Sequence, residues 1–97
     1  MDKITSLDQI TDELTLVDFS AVWCGPCRMV KPNLEEINEK GLIKVVNVDV
    51  DEATALTKQF KIEVVPTLIL LKDKKEVSKK IGYMNVDEIE DWINLNK

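Results

Sequence analysis

Leu14-Thr15-Leu16-Val17-Asp18-Phe19-Ser20-Ala21-Val22-Trp23-Cys24-Gly25-Pro26-Cys27 decides the fold, because it joins a nearly continuous apolar run to two thiols at the start of helix-period sequence. The run Leu14 to Phe19 reads as a strand covered on both faces. From Pro26 to Lys40 the pattern is helical, with Val30, Leu34 and Ile37 on one stripe and Gly41 as the stop. Pro32 falls inside that helix, where it removes one hydrogen bond and is expected to kink the axis.

Cys24 and Cys27 are the only cysteines of the chain. Residues three apart at a helix start have Cβ atoms about 5–6 Å apart. A disulfide needs about 3.5–4.5 Å, so a small adjustment closes the ring. The pair is placed to make and break a disulfide. Cys24 is expected at the helix tip, near solvent, with Cys27 one turn in, so that one sulfur attacks and the other waits. The attacking species is the thiolate. A helix N-terminus stabilises a negative charge by about 0.3–1 kcal/mol, up to ~2 when partly buried, which favours that form at Cys24. Pro26 presets φ for the first turn and has no N–H to leave unpaired. Gly25 lets another backbone come close.

Other uses of the pair are open at this point. A C-x-x-C can be half a zinc site, but such sites normally take four ligands. This chain has no histidine and no third cysteine, so zinc would need carboxylates or a second chain. No metal is expected. A purely structural disulfide closing so short a loop would stabilise the fold little.

The bulk numbers narrow the class. Ninety-seven residues, 44% hydrophobic and 32% charged, read as one globular domain, 1–97. The longest unbroken apolar stretch, Leu68-Ile69-Leu70-Leu71, is far too short to span a bilayer. Met1 to Thr5 lacks the pattern of a signal peptide, so the expected location is cytoplasmic. There, two cysteines at this spacing are more often catalytic or metal-binding than a structural staple. A net charge of −5 does not favour nucleic acid or anionic lipid. A monomer is expected. The charge is unevenly spread: Lys72, Lys74, Lys75, Lys79 and Lys80 cluster around one turn, as suits a sheet edge. Asp87, Glu88, Glu90 and Asp91 crowd a later helix.

Along the rest of the chain, Ser6 with Gln9 reads as a capping box, with Leu7, Ile10 and Leu14 following at helix spacing. Ile43 to Asp49 is a second strand, and Ala53, Leu56 and Phe60 mark a short helix. Thr67 to Lys72 and Glu76 to Ile81 are two strands joined by Asp73-Lys74-Lys75. Asn85 with Glu88 caps a last helix whose buried stripe is Val86, Ile89, Trp92 and Ile93. The expected fold class is therefore α/β, with a mixed central sheet flanked by helices.

The motif Trp23-Cys24-Gly25-Pro26-Cys27 resembles that of the thioredoxin family, and four further matches follow the family's order. These are Val17-Asp18-Phe19, Lys31-Pro32, Val65-Pro66-Thr67 and Gly82. The resemblance implies a thioredoxin fold, βαβαββα-like with a short extra N-terminal element, and dithiol–disulfide oxidoreductase activity. It further implies Cys24 as nucleophile, Cys27 as resolving thiol and Asp18 as a buried carboxylate that takes the Cys27 proton. Burial should raise the Asp18 pKa. Pro66 resembles a cis proline beside the disulfide, and Val65 could pair its backbone with an extended substrate. Trp23, Gly25, Pro26, Val65, Pro66 and Gly82 would form the substrate surface. Implied partners are disulfide-containing proteins and a separate thioredoxin reductase. No Gly-rich dinucleotide fingerprint is present, so no cofactor beyond the Cys24–Cys27 disulfide is expected.

The chain departs from the family pattern at several positions. Where relatives often carry a lysine near the buried carboxylate, this chain has Val45, and Lys44 falls on the opposite face by strand alternation. Ser20 stands where an aromatic is frequent, Val64 where a glycine is common, and the hairpin turn lacks the usual glycine. These departures bear on substrate preference. A binding module with incidental thiols and a glutaredoxin-like activity are the competing functions. Turnover with dithiothreitol and a glutathione-coupled assay respectively separate them.

Overall fold

The computed structural model describes residues 1–97. The elements run β1 (Asp2–Lys3), a single 3-10 turn (Leu7–Gln9), β2 (Leu14–Ser20), α1 (Gly25–Glu39), β3 (Lys44–Asp49), α2 (Thr54–Gln59), β4 (Thr67–Lys72), β5 (Lys75–Ile81) and α3 (Val86–Leu95). They form one five-stranded sheet in the order β1-β3-β2-β4-β5. β2 lies parallel to β3, β3 parallel to β1, and β4 antiparallel to both β2 and β5.

Side-chain alternation along β2 divides the core in two. Leu16 joins Val30, Leu34 and Ile37 of α1 and Ile89, Trp92 and Ile93 of α3 on one face. Val17 and Phe19 join Val46, Val48 and Leu56 on the other, beneath α2. Asp18 shares the parity of Leu16, so it points into the α1/α3 side as the one carboxylate of a strand buried from Thr15 to Phe19. In register it lies opposite Asn47 of β3 and Leu68 of β4.

The helix caps follow the sequence. Asn85 and Glu88 form the capping box of α3, and Gly41 after α1 takes a left-handed φ of 72°. Ser6 and Gln9 also form a capping box, but the helix it opens ends at Gln9. Ile10 is extended and Leu14 belongs to β2, so the apolar spacing Leu7–Ile10–Leu14 marks packing rather than a longer helix. The hairpin connection is also shorter than expected. Lys75 pairs with Lys72, leaving Asp73 and Lys74 as the whole turn, at φ 50° and 67°. Two left-handed residues are what a two-residue hairpin requires, here without glycine. β5 is an edge strand, and Lys75, Lys79 and Lys80 lie along it.

Candidate active site

The turn after β2 delivers Cys24 to the N-cap of α1. Its backbone is extended, and its N–H donates to Ala21 O at 3.2 Å. Cys24 and Cys27 are joined in a disulfide with their Cα atoms 5.3 Å apart. The Cys27 N–H donates to Cys24 Sγ at 3.2 Å, so the helix aims a backbone donor at the Cys24 sulfur. Cys24 Sγ also lies 3.8 Å from Val65 O.

The expected difference in exposure is absent. Cys24 is 5% exposed and Cys27 4%, because Ala21, Val50 and Val65 pack around the pair. The sulfurs differ in their neighbours instead. Cys24 faces a backbone donor and the Val65 carbonyl, whereas Cys27 lines a cavity of about 360 Å³ shared with Asp18, Ser20 and Asn47.

Asp18 is 1% exposed. Burial pushes its pKa from 3.8 up to about 6, opposed by a hydrogen bond from Asn47 and by the charge of Lys31. Asn47 Nδ2 donates to Asp18 Oδ2 at 3.2 Å, whereas Asp18 Oδ1 is buried and accepts no hydrogen bond from any protein group. Val45 is fully buried on the same face, so no cation reaches Asp18 from that position. Lys44 pairs with Asp2 instead.

Around the sulfurs, Trp23 is 67% exposed, and its Nε1–H donates to Asp51 Oδ2 at 2.9 Å. With Val50, Ile62, Val64 and Val65 it borders a surface hollow. The Val65–Pro66 peptide is cis. The Gly82 N–H donates to Pro66 O at 2.9 Å, which fastens the loop after β5 to the loop before β4. Gly82 has φ 94°, a conformation that favours glycine. A Cβ on Gly25 would meet nothing within 4 Å, so the fold itself does not require glycine there. Gly25 and Pro26 are exposed at the helix start.

Three contributors escape sequence reading. Asn47 of β3 and Asp51 in the turn after it look like ordinary polar and acidic positions, and only the register with β2 brings Asn47 against Asp18. Asn33 of α1 donates from Nδ2 to Tyr83 Oη at 3.1 Å and to Met84 O at 3.0 Å, holding the Gly82 loop. A polar residue directly after Pro32 is the only signal for it. No cluster of three or more acids and cysteines is arranged to hold a metal ion, and no helix is long and apolar enough to cross a membrane.

The thioredoxin family model matches residues 4–95. The chain is 45% identical over 92 residues to a thioredoxin of Listeria monocytogenes, covering 92% of this chain and 89% of that protein. It is 38% identical over 86 residues to a thioredoxin of Rickettsia felis, covering 87% and 82%. Among solved structures it is similar to Plasmodium falciparum thioredoxin, with TM-score 0.86 and 30% identity over the full length of both chains. A mutant thioredoxin from Halobacterium salinarum aligns with TM-score 0.82 and 37% identity, covering 87% of this chain and 74% of that one.

Proposed function

The chain belongs to the thioredoxin family, and from that premise we propose how its own residues divide the work. It is a protein-disulfide oxidoreductase acting by dithiol–disulfide exchange. In our reading the Cys24 thiolate attacks one sulfur of a substrate disulfide. A mixed disulfide forms, and the other substrate sulfur leaves with the bonding pair. Cys27 then gives its proton to Asp18 and attacks Cys24 Sγ. The substrate thiolate leaves, and the Cys24–Cys27 disulfide remains, holding two fewer electrons than the dithiol. A separate reductase of the thioredoxin reductase type returns the pair to dithiol.

One observation carries the assignment of Cys24 as nucleophile: the Cys27 N–H aimed at its sulfur from the first turn of α1. Negative charge on that atom meets both a donor and the positive end of the helix. Asp18 suits the proton-accepting role because an acid of pKa about 6 is ionised at neutral pH yet binds a proton readily. Exposed Trp23, Gly25 and Pro26, with Val65 against Cys24 Sγ and half-buried Gly82, make the substrate surface, while buried Pro66 supports it from below through its bond from the Gly82 N–H. The substrates are disulfide-containing proteins. We read the redox group as the cysteine pair alone, and the chain as a cytoplasmic monomer binding neither nucleic acid nor membrane, in keeping with its net charge of −5.

Reduction of an exposed protein disulfide with dithiothreitol as electron source tests the reading. Catalysis that disappears in Cys24→Ser supports it. Undiminished turnover in that variant overturns it.

A further inference from the structure

We propose that Asn47 is a positioning residue that occupies Oδ2 of the Asp18 carboxylate and so leaves Oδ1 as the atom that takes the Cys27 proton. The inference rests on the reading of Asp18 as proton acceptor.

The geometry begins with the parallel pairing of β2 and β3, which sets Asn47 opposite Asp18. Asn47 Nδ2 lies 3.2 Å from Asp18 Oδ2, 3.3 Å from the Asp18 backbone O and 2.7 Å from Ser20 Oγ. A backbone carbonyl can only accept. The face that Asn47 turns to Asp18 is therefore its nitrogen, and Ser20 anchors the same amide from two residues along β2. The side-chain nitrogen can only donate, so Oδ2 stays an acceptor whether or not Asp18 carries a proton. A carboxylic acid has one O–H, whose oxygen accepts more weakly than the carbonyl oxygen, so protonating Oδ2 would weaken the bond from Asn47 whereas protonating Oδ1 keeps it. Oδ1 is buried, makes no hydrogen bond to protein and belongs to a group lining the same cavity as Cys27. The proton released by Cys27 S–H thus goes to Oδ1, and the resulting thiolate forms the bond to Cys24 Sγ.

The other charged groups around this cavity are Lys3 of β1, Arg28 and Lys31 of α1, Asp49 of β3 and the amino terminus of Met1. β4 presents Leu68 opposite Asp18, and α3 packs against this face through Ile89, Trp92 and Ile93. None of the cations forms a hydrogen bond or ion pair with Asp18, so Asn47 is the only side chain that hydrogen-bonds to its carboxylate. A donor to a carboxylate favours the ionised form. Removing it shifts ionisation to higher pH, by about one to two pH units for a hydrogen bond to a charged group.

Asn47→Leu keeps the size and removes the donor, and Asn47→Ala serves if that chain does not fold. Carbon-13 NMR of the Asp18 carboxyl follows its titration in oxidised protein. Infrared difference spectra across the same pH range report the carbonyl stretch of the protonated acid. We expect the titration to move up from about 6 by about one to two pH units. The carbonyl stretch should rise as Oδ2 loses its donor, and the pH profile of mixed-disulfide release should move alkaline in step. An unmoved titration, or a carbonyl stretch identical to that of the native chain, overturns the inference. Asp18→Asn separates the two claims. If release is as fast in that variant, Asp18 is not the acceptor, whatever Asn47 does to its titration. If release slows there while the Asn47 variants titrate like the native chain, Asp18 stands and the role given to Asn47 falls.

Discussion

Trp23 and Asp51, 28 residues apart, are tied by a hydrogen bond from the indole Nε1–H to Oδ2 at 2.9 Å. The bond fixes one edge of a mostly exposed ring, which walls the hollow formed with Val64 and Val65. An exposed ring with no such tie would sample several rotamers, and substrate binding would have to select among them. Asp51→Ala should therefore raise KM for a protein disulfide about fivefold, the factor corresponding to about 1 kcal/mol, with kcat nearly unchanged. Asp51→Asn, which keeps an acceptor oxygen, should recover most of the loss. Steady-state kinetics on the three chains decide it, and equal KM values would show that the tie does not order the ring for binding.

Asp18 makes the fold less stable as pH rises from 3.8 to about 6. Its folded pKa, about 6, exceeds its ordinary value of 3.8, so the folded state binds more protons than the unfolded state between those limits. Stability from this group is highest below pH 3.8, falls as pH rises to about 6 and is level above, where the loss amounts to about 3 kcal/mol. Asp18→Ala removes the buried charge and should be more stable than the native chain at pH 8 but not at pH 4. Urea melts at the two pH values test this. Parallel stability curves from pH 4 to pH 8 would exclude a buried, shifted carboxylate.

Val45→Lys would place a cation on the face of the sheet that carries Asp18. An opposite charge favours ionisation, so the Asp18 titration should move below 6. The carboxyl carbon-13 shift against pH reads this directly. A titration unchanged in a folded variant would mean that the introduced ammonium turns to solvent.

The hairpin turn offers a stability test far from the sulfurs. Lys74 holds φ 67° without being glycine. Left-handed backbone costs an ordinary residue about 1–2 kcal/mol, against about 0.5–1 kcal/mol for the extra freedom glycine loses on folding. Lys74→Gly should gain up to about 1 kcal/mol, a rise in Tm of about 4–8 °C for a domain of this size. Calorimetry checks it, and an unchanged or lower Tm would mean that Lys74 sits in the turn without strain.

In the proposed mechanism, Cys27→Ser keeps the attacking sulfur and removes the one that releases substrate. Incubated with a disulfide-bonded protein, it should accumulate a covalent adduct through Cys24 that dithiothreitol dissolves, whereas Cys24→Ser should form none. Mass spectrometry of the mixture distinguishes the two. Adduct formation by both variants at similar rates would remove the division of labour between the sulfurs.

Legibility follows the range of the interaction. Periodicity locates α1, α3 and the central strands because a buried stripe is written locally, as in Val30, Leu34 and Ile37. The cysteine motif is legible for the same reason: cap, proline and both thiols fall within one turn. Asn47 is not, because its role exists only once β3 lies in register against β2. The burial of Cys24 escapes the sequence because its cover comes from Val50 and Val65, distant segments that fold over the helix tip. The hairpin connection reads one residue too long, since Asp73 and Lys74 lack the glycine that usually announces left-handed backbone.

The loop bearing Gly82 is bolted down twice, to Pro66 by its own amide and to α1 through Asn33. If this rim is the substrate surface proposed above, docking against it requires little rearrangement on this side of the encounter. The loss of conformational freedom falls on the incoming chain, which has to straighten a stretch of backbone around its sulfur bridge. On that reading, bridges in slack surface loops would be favoured over those locked inside a folded core, and client choice would become a matter of how readily the client yields.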